Sequence, residues 1–430
     1  MKIPPVKGTR DFYPSDMAIR NWIIDGWKKV SIRNGFEEYD GPIFEYLKIF
    51  QIKSGDEIVE QLFSFKDRGG RELAIRPEIT PTLARMVNQR ISSLPKPIKW
   101  FSVPRLCRAE RPQKGRFREF FQWNVDIIGV EDVLADAEVI FCALDYLQQV
   151  GLTPNDIVCK ISSRKMLAAV LLSMGISQNQ LEPLYALLDK RNRVPPDTFE
   201  QMLAQQIADK NKRKRILELM NIKSIQQISD LLQLNEEAKQ SVDELSRLFE
   251  LLEVMGVADF CIFDMSIVRG LAYYTGIVFE LYDRAGKFRA IGGGGRFDDL
   301  LQQFGGPALP ATGFGIGDCV LTILLKEKGL LQSQLPTCQL DYFVAFTDKQ
   351  FLQKAIEIIA KLRRKGLAVN FSYKSANLSK QLKQASAQNA RKCVIIGQEL
   401  YRNNELIIKD MATGQQELIE FDRFFAAQSN

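Results

Sequence analysis

Hydrophobic positions along this chain change their period repeatedly, and each change marks an element. Residues 16–33 carry Ile19, Ile23, Trp27 and Val30 at helical spacing. Gly35 and Phe36 end that helix and open a strand, and Pro42 marks a strand edge or a kink. Two short runs, 62–66 and 71–76, flank Gly69-Gly70 and predict a hairpin. A helix is expected over 80–91, capped by Thr80, with Pro81 at its first position. PIKWFSVPRLCRAE (97–110) and FREFFQWNVDIIG (117–129) read as strands joined by the polar loop RPQKGR. A helix runs from Asp132 to Gly151, and residues 164–255 are mostly helical. Strand patterns resume over 259–282 and 288–297. A short helix at 299–304 and a glycine-rich strand–helix unit, TGFGIGDCVLTILLKEKG, follow.

Beyond residue 340 the pattern alternates anew: strand 341–346, helix 350–366, strand 367–373, helix 378–390, then three strands. The expected class is α+β. An antiparallel sheet with flanking helices fills 1–325, interrupted by a helical insertion over 170–250. A linker spans 326–339, and a compact α/β module spans 340–430.

Composition narrows the chemistry. The seven cysteines form no CxxC pair, so reduced thiols are expected and a structural zinc site is not. The N-terminus lacks the apolar core of a secretory signal, and no uncharged apolar run reaches membrane-spanning length. A cytoplasmic protein without a membrane partner is the expectation. A net charge of +6 permits a polyanionic partner without requiring one. Histidine is absent altogether, so no step can use a protein imidazole as base, nucleophile or metal ligand.

Four polar clusters stand inside strand-like segments. In IRPEIT, Glu78 and Thr80 fall where a strand gives way to a helix. They could hold an ammonium group, or serve as a surface turn and a helix cap. Along 117–129, alternation puts Phe120, Gln122, Asn124 and Asp126 on one face and Phe121, Trp123 and Val125 on the other. The first face is too polar for a core. With Arg108 and Arg116 nearby it suits a phosphate-bearing ligand, the alternative being a solvated face. SIVRGLAYYTGIVFE (266–280) places Arg269, Tyr273 and Tyr274 in an otherwise apolar segment. AIGGGGRFDDL (290–300) brings backbone close to a ligand or a helix, yet matches neither GxGxxG nor GxxxxGK[ST].

Together these segments resemble the class II histidyl-tRNA synthetase family over nearly the whole chain. The resemblance rests on KGTRDFYP, GFEEYDGPIFE as motif 1, RPEIT, RAERPQKGRFREFFQ as motif 2, IVRGLAYYTG and GGGGRFDDL. It implies a class II catalytic domain and a C-terminal anticodon-binding domain. It also implies activation of L-histidine by ATP, with Mg²⁺, followed by transfer to tRNA(His). Glu78 and Thr80 would hold the α-ammonium group. Gln122 and Arg116 would orient the carboxylate and α-phosphate. Asp126, with Tyr274 and Tyr273, would face the imidazole. Arg108, Glu110, Arg116 and Arg269 would bind ATP, with Arg108, Arg116 and Arg269 carrying catalysis. Arg111, Gln113 and Lys114 would meet the tRNA acceptor end. No protein ligand to a metal is implied, and a homodimer through motif 1 is. The insertion, with its KNKRKRILE run at 210–218, would approach the acceptor arm.

The chain departs from the family pattern in three places. Ala272 stands where Asp is usual in RGLDYYTG. Motif 3, usually of the form GxGxERL, reads GFGIGDCVL, so Asp318, Cys319 and Val320 leave no arginine for the far phosphates of ATP. Ala109 and Phe121 stand where many bacterial members carry histidines. The alternative reading is a non-catalytic histidine-binding paralogue, such as the regulatory subunit of ATP phosphoribosyltransferase, or a tRNA-binding sensor. That regulatory subunit lacks the C-terminal domain.

Overall fold

The computed structural model describes residues 3–53, 62–188, 190–191, 194–231, 236–267, 274–331, 340–373 and 377–428. These fall into two compact units, Met1–Leu335 and Pro336–Asn430. No helix among the described residues is long and apolar enough to cross a membrane.

The first unit is built on one large sheet. Its chain opens with α1 (Pro14–Arg33), which starts on a proline, where the missing N–H costs nothing. Then come β1 (Glu37–Glu38), α2 (Thr80–Arg90), β2 (Ile98–Ser102), β3 (Glu119–Ile128), α3 (Leu134–Gln149) and β4 (Ile157–Ser163). After a helical stretch come β5 (Cys261–Phe263), β6 (Ile277–Asp283), β7 (Gly292–Arg296), β8 (Ala311–Gly317) and α4 (Asp318–Glu327). The strand order is β1-β2-β3-β8-β7-β6-β4-β5, with Arg105–Cys107 pairing on β3. The expected antiparallel pairing holds through the centre, whereas β1–β2 and β4–β5 at the two edges are parallel.

One face of this sheet is closed by α1 and α3 over an aromatic centre. Trp27 stacks on Trp123, and Tyr146 and Phe314 meet Trp123 edge-on. The Trp123 indole donates to Ser31 Oγ at 2.8 Å, so the one polar atom that this ring buries is satisfied. Apolar residues of β3 at odd positions feed this core, and the even positions must therefore face the other way.

The helical stretch spans 164–254, and its first and last helices rest on the same core as the sheet. Its basic run begins a helix capped by Asp209. There Lys212 closes on the Gly175 carbonyl at 2.6 Å, and Arg213 on those of Ile207 and Ala208 at 2.8 and 2.7 Å. Two of its cations thus complete the fold by satisfying carbonyls left open where the backbone turns.

α4 runs to Glu327, so the first residues of the expected linker are helical; 332–339 lie outside the described residues. The second unit has a five-stranded sheet in the order 369–371, 340–346, 390–396, 405–410, 416–420. The first three strands are parallel and the last two antiparallel. Helices Leu352–Arg364 and Leu378–Ala387 connect the parallel strands, as such crossovers require.

Candidate active site

The open face of the large sheet carries a cavity. Glu78, Thr80, Arg108, Gln122, Asn124, Asp126 and Tyr274 line it with Gly293, Phe297, Gly313, Phe314 and Gly315. Register explains its shape. Asp126 pairs with Gly313, Asn124 with Gly315 and Gln122 with Gly317. On the next strand, Gly295 pairs with Gly313 and Gly293 with Gly315. Side chains from β3 therefore lie over a floor of bare backbone. A Cβ on Gly313 would fall 2.2 Å from Asp126 Oδ1, and one on Gly315 2.8 Å from the Gln122 amide. The glycines make room for their neighbours' polar groups as well as for a ligand.

Polar walls stand around that floor. Asp126 and Glu78 are buried. Thr80 is the first residue of α2 and Ile79 is its N-cap, so Thr80 is not the cap that was expected. It lines the cavity instead. Arg108 donates from Nε to the Pro77 carbonyl at 3.0 Å, and its guanidinium lies 5.3 Å from the Phe120 ring centre. A fork held at its root and stacked on a ring keeps little freedom, which suits it to grip an anion. Arg76, by contrast, is consumed by the fold. It donates to Asp40 at 2.6 Å and to the carbonyls of Gly41 and Arg105.

Tyr274 is buried and fixed through its neighbour. Thr275 Oγ1 exchanges hydrogen bonds of 3.1 Å with Asp298, and Thr275 N donates to Arg296 O at 2.8 Å. Arg269, Tyr273 and Ala272 lie outside the described residues.

Five residues expected to touch a nucleotide or tRNA, Glu110, Arg111, Gln113, Lys114 and Arg116, are not in the walls of the cavity. Glu110 and Arg116 form an ion pair with each other, with Glu110 buried. The loop that they bracket folds back on itself. Gln113 and Arg116 exchange backbone bonds of 3.0 and 2.9 Å around Lys114-Gly115. Gly115 takes φ +76°, a conformation that favours glycine, and a Cβ there would lie 3.1 Å from Val320 Cγ2. Arg111, Gln113 and Lys114 are thus displayed on an exposed turn.

The same fold accounts for the sequence GDCVL. Asp318 accepts from Arg10 at 2.7 Å and from the Phe121 backbone at 3.0 Å, anchoring the N-terminal segment to β3 and α4. Val320 packs beneath the turn at Gly115. Phe121 shares in this join through ring contacts with Phe12, Arg20 and Arg105.

Family models match the chain in two blocks, "Histidyl-tRNA synthetase" over residues 8–317 and "Anticodon binding domain" over 340–428. A chloroplastic/mitochondrial histidine–tRNA ligase of Arabidopsis thaliana is 40% identical over 414 residues, covering 96% of this chain and 84% of that protein. The histidine–tRNA ligase of Opitutus terrae is 38% identical over 410 residues, covering 94% and 93%. The chain belongs to the histidyl-tRNA synthetase family. The crystal structure of histidyl-tRNA synthetase from Nostoc sp. PCC 7120 shares its fold, with a TM-score of 0.82 at 24% identity and coverage of 100% and 99%.

As a member of this family the chain shows contributions that alternation alone does not reveal. Tyr39 lies behind the cavity, its ring 5.5 Å from that of Trp100, which pairs with Asp126. Burial, and then the charge of Asp126, push its phenol well above its usual pKa, so it stays protonated. Asn124 and Phe297 also line the walls. Asn124 was legible as part of the polar face of β3. Phe297 carried no signal apart from its place after the glycine run.

Proposed function

We infer that this chain is a histidine–tRNA ligase, an enzyme that activates L-histidine with ATP and passes it to tRNA(His). The observation that carries the reading is the cavity itself: buried carboxylates, an amide pair and one stacked arginine around a floor without side chains, in a chain of this family. A small zwitterion with a hydrogen-bonding ring needs anions for its ammonium, donors for its carboxylate and an acceptor for its ring N–H.

In this reading Glu78 and Thr80 receive the α-ammonium, Gln122 the carboxylate, and Asp126 with Tyr274 the imidazole. Arg108 takes ATP phosphate. The histidine carboxylate attacks the α-phosphorus, a P–O bond to the β-phosphate breaks, and pyrophosphate leaves with the electron pair. No protein base is needed, because the attacking carboxylate is already ionised. The chain's task is then to position and to neutralise charge. Arg269 and Tyr273 complete the site in the family pattern, and Arg116 with Glu110 supports it from the edge. A hydroxyl of the terminal tRNA ribose next attacks the adenylate carbonyl and AMP departs. Arg111, Gln113 and Lys114 would meet that end of the tRNA.

Mg²⁺ bound with ATP would supply further neutralisation of phosphate charge beside Arg108. Among the described residues no group of three or more acidic or cysteine side chains forms a cage. The C-terminal unit would read the anticodon, and two copies would join through motif 1.

Histidine-dependent ATP–pyrophosphate exchange tests the reading, with the other amino acids as controls. Exchange with histidine alone is expected. Asp126→Asn should lower kcat/KM for histidine by about 10²-fold, as expected for losing a hydrogen bond to a charged group. Binding of histidine without any exchange would favour the regulatory or sensor reading.

A further inference from the structure

Arg108 is the one cationic side chain among the described residues lining the cavity. A nucleoside triphosphate carries several negative charges, and α4 offers Cys319 and Val320 where a guanidinium would be useful. A different arginine reaches the motif 2 turn that packs on that part of α4. The loop between β6 and β7 carries Arg289, which donates from Nη2 to Gln113 Oε1 at 3.1 Å. One residue earlier, the Phe288 ring lies 5.4 Å from Lys114 Nζ. Two residues later, the Ile291 carbonyl accepts from Gly317 N, immediately before α4, at 3.2 Å. Val320, in the first turn of α4, meets the motif 2 turn at Gly115. Three segments therefore close on one another at one end of the central strands β7 and β8, and Arg289 is their exposed guanidinium.

Two of its cationic neighbours are otherwise engaged. Lys287 pairs with Glu327 at 2.7 Å, and Arg116 pairs with Glu110. Arg289 has no carboxylate partner among the described residues, only the neutral amide of Gln113. An arginine held by an amide keeps its charge uncompensated and most of its donors available.

We propose that Arg289 binds the terminal phosphates of ATP, supplying from the β6–β7 loop the cation that the first turn of α4 lacks. The proposal rests on the synthetase reading for the identity of the nucleotide. The shared chemistry is phosphate, so the tRNA backbone is the competing source, and the test separates them.

Binding of ATP and of AMP to the full chain is measured for wild type, Arg289→Ala and Arg289→Lys. Arg284→Ala, on the same loop, serves as a charge control. Loss of Arg289 should weaken ATP by about tenfold, the lower end for an exposed hydrogen bond to a charged group. AMP, lacking the outer phosphates, should bind within about twofold of wild type, and lysine should restore part of the loss. In exchange assays KM for ATP should rise while KM for histidine stays constant. Equal weakening of ATP and AMP would assign Arg289 a structural role and overturn the proposal. So would an unchanged ATP affinity with a raised KM for tRNA. Should the alanine variant unfold, Arg289→Gln keeps the stem and an amide donor without charge, and the same comparison decides. If wild type shows no histidine-dependent exchange, the synthetase reading fails, and the ATP-to-AMP comparison still decides the role of Arg289.

Discussion

Gly313 shows how much of this site is made by atoms that are not there. It presents bare backbone beneath Asp126, in a space where a methyl group would collide with the carboxylate. Gly313→Ala should displace Asp126, cutting kcat/KM for histidine by about 10²-fold, the scale of a misplaced reacting group, with far smaller effect on KM for ATP. Steady-state exchange kinetics against a thermal melt would check this. An alanine variant with ordinary histidine kinetics would mean that Asp126 does not need its present position. Much of this residue-level picture was legible in the sequence. The period of two along β3 separates Gln122, Asn124 and Asp126 from Trp123 and Val125, because one face must be dry. Pairings made by a reversing loop were not legible. Whether Arg116 meets ligand or Glu110 depends on the turn at Gly115, which spacing does not encode. Arg289 was hidden likewise, since its value depends on which loops close together in space.

At the scale of elements, one buried pair joins helix to sheet. Arg296, at the end of β7, donates to Asp136 of α3 at 3.0 and 2.5 Å and to the carbonyls of Val130 and Asp132. It thereby ties the glycine strand to the first turn of α3, where an acidic residue also meets the positive helix end. Removing one partner leaves a charge without compensation, so Asp136→Asn should cost about 3–5 kcal/mol of unfolding free energy, measured by urea titration. Burial pushes the Asp136 carboxyl up to about 6, against the opposing pull of Arg296. A carboxyl raised in the native state contributes stability that is present below its unfolded pKa and lost as pH rises through the folded one. Wild type should therefore lose stability as pH rises from about 4 to about 6, a slope that Asp136→Asn lacks, and equal slopes would deny Asp136 this titration. The elements themselves were readable from hydrophobic period. The parallel edge pairs were not, because β1 and β5 are too short to carry one.

At the scale of the molecule, the stretch IFEYLKIF divides in two. Ile49 and Phe50 enter the core, whereas Ile43, Phe44 and Tyr46 are exposed beside Phe65, with Tyr46 at 57%. Phe44 and Phe65 pack edge-on across the three-stranded sheet 44–46, 72–75 and 63–66. A large exposed apolar patch at motif 1 fits a second copy of the chain. Sedimentation should give twice the chain mass, and Phe44→Asp with Tyr46→Asp should release monomers. A wild type that sediments as a monomer at micromolar concentration would exclude this interface. Division into two units was foreshadowed by the change of pattern beyond residue 340, where crossover helices begin to separate parallel strands.

The glycine floor bears on inhibition. A compound resting on the peptide planes of Gly293, Gly313 and Gly315 would touch no side chain there that mutation could trim. Escape by adding atoms at Gly313 or Gly315 would crowd Asp126 or Gln122 in the same stroke. Resistance would have to arise in the walls, where Glu78, Thr80, Arg108, Gln122, Asp126 and Tyr274, proposed to hold the natural substrates, already stand.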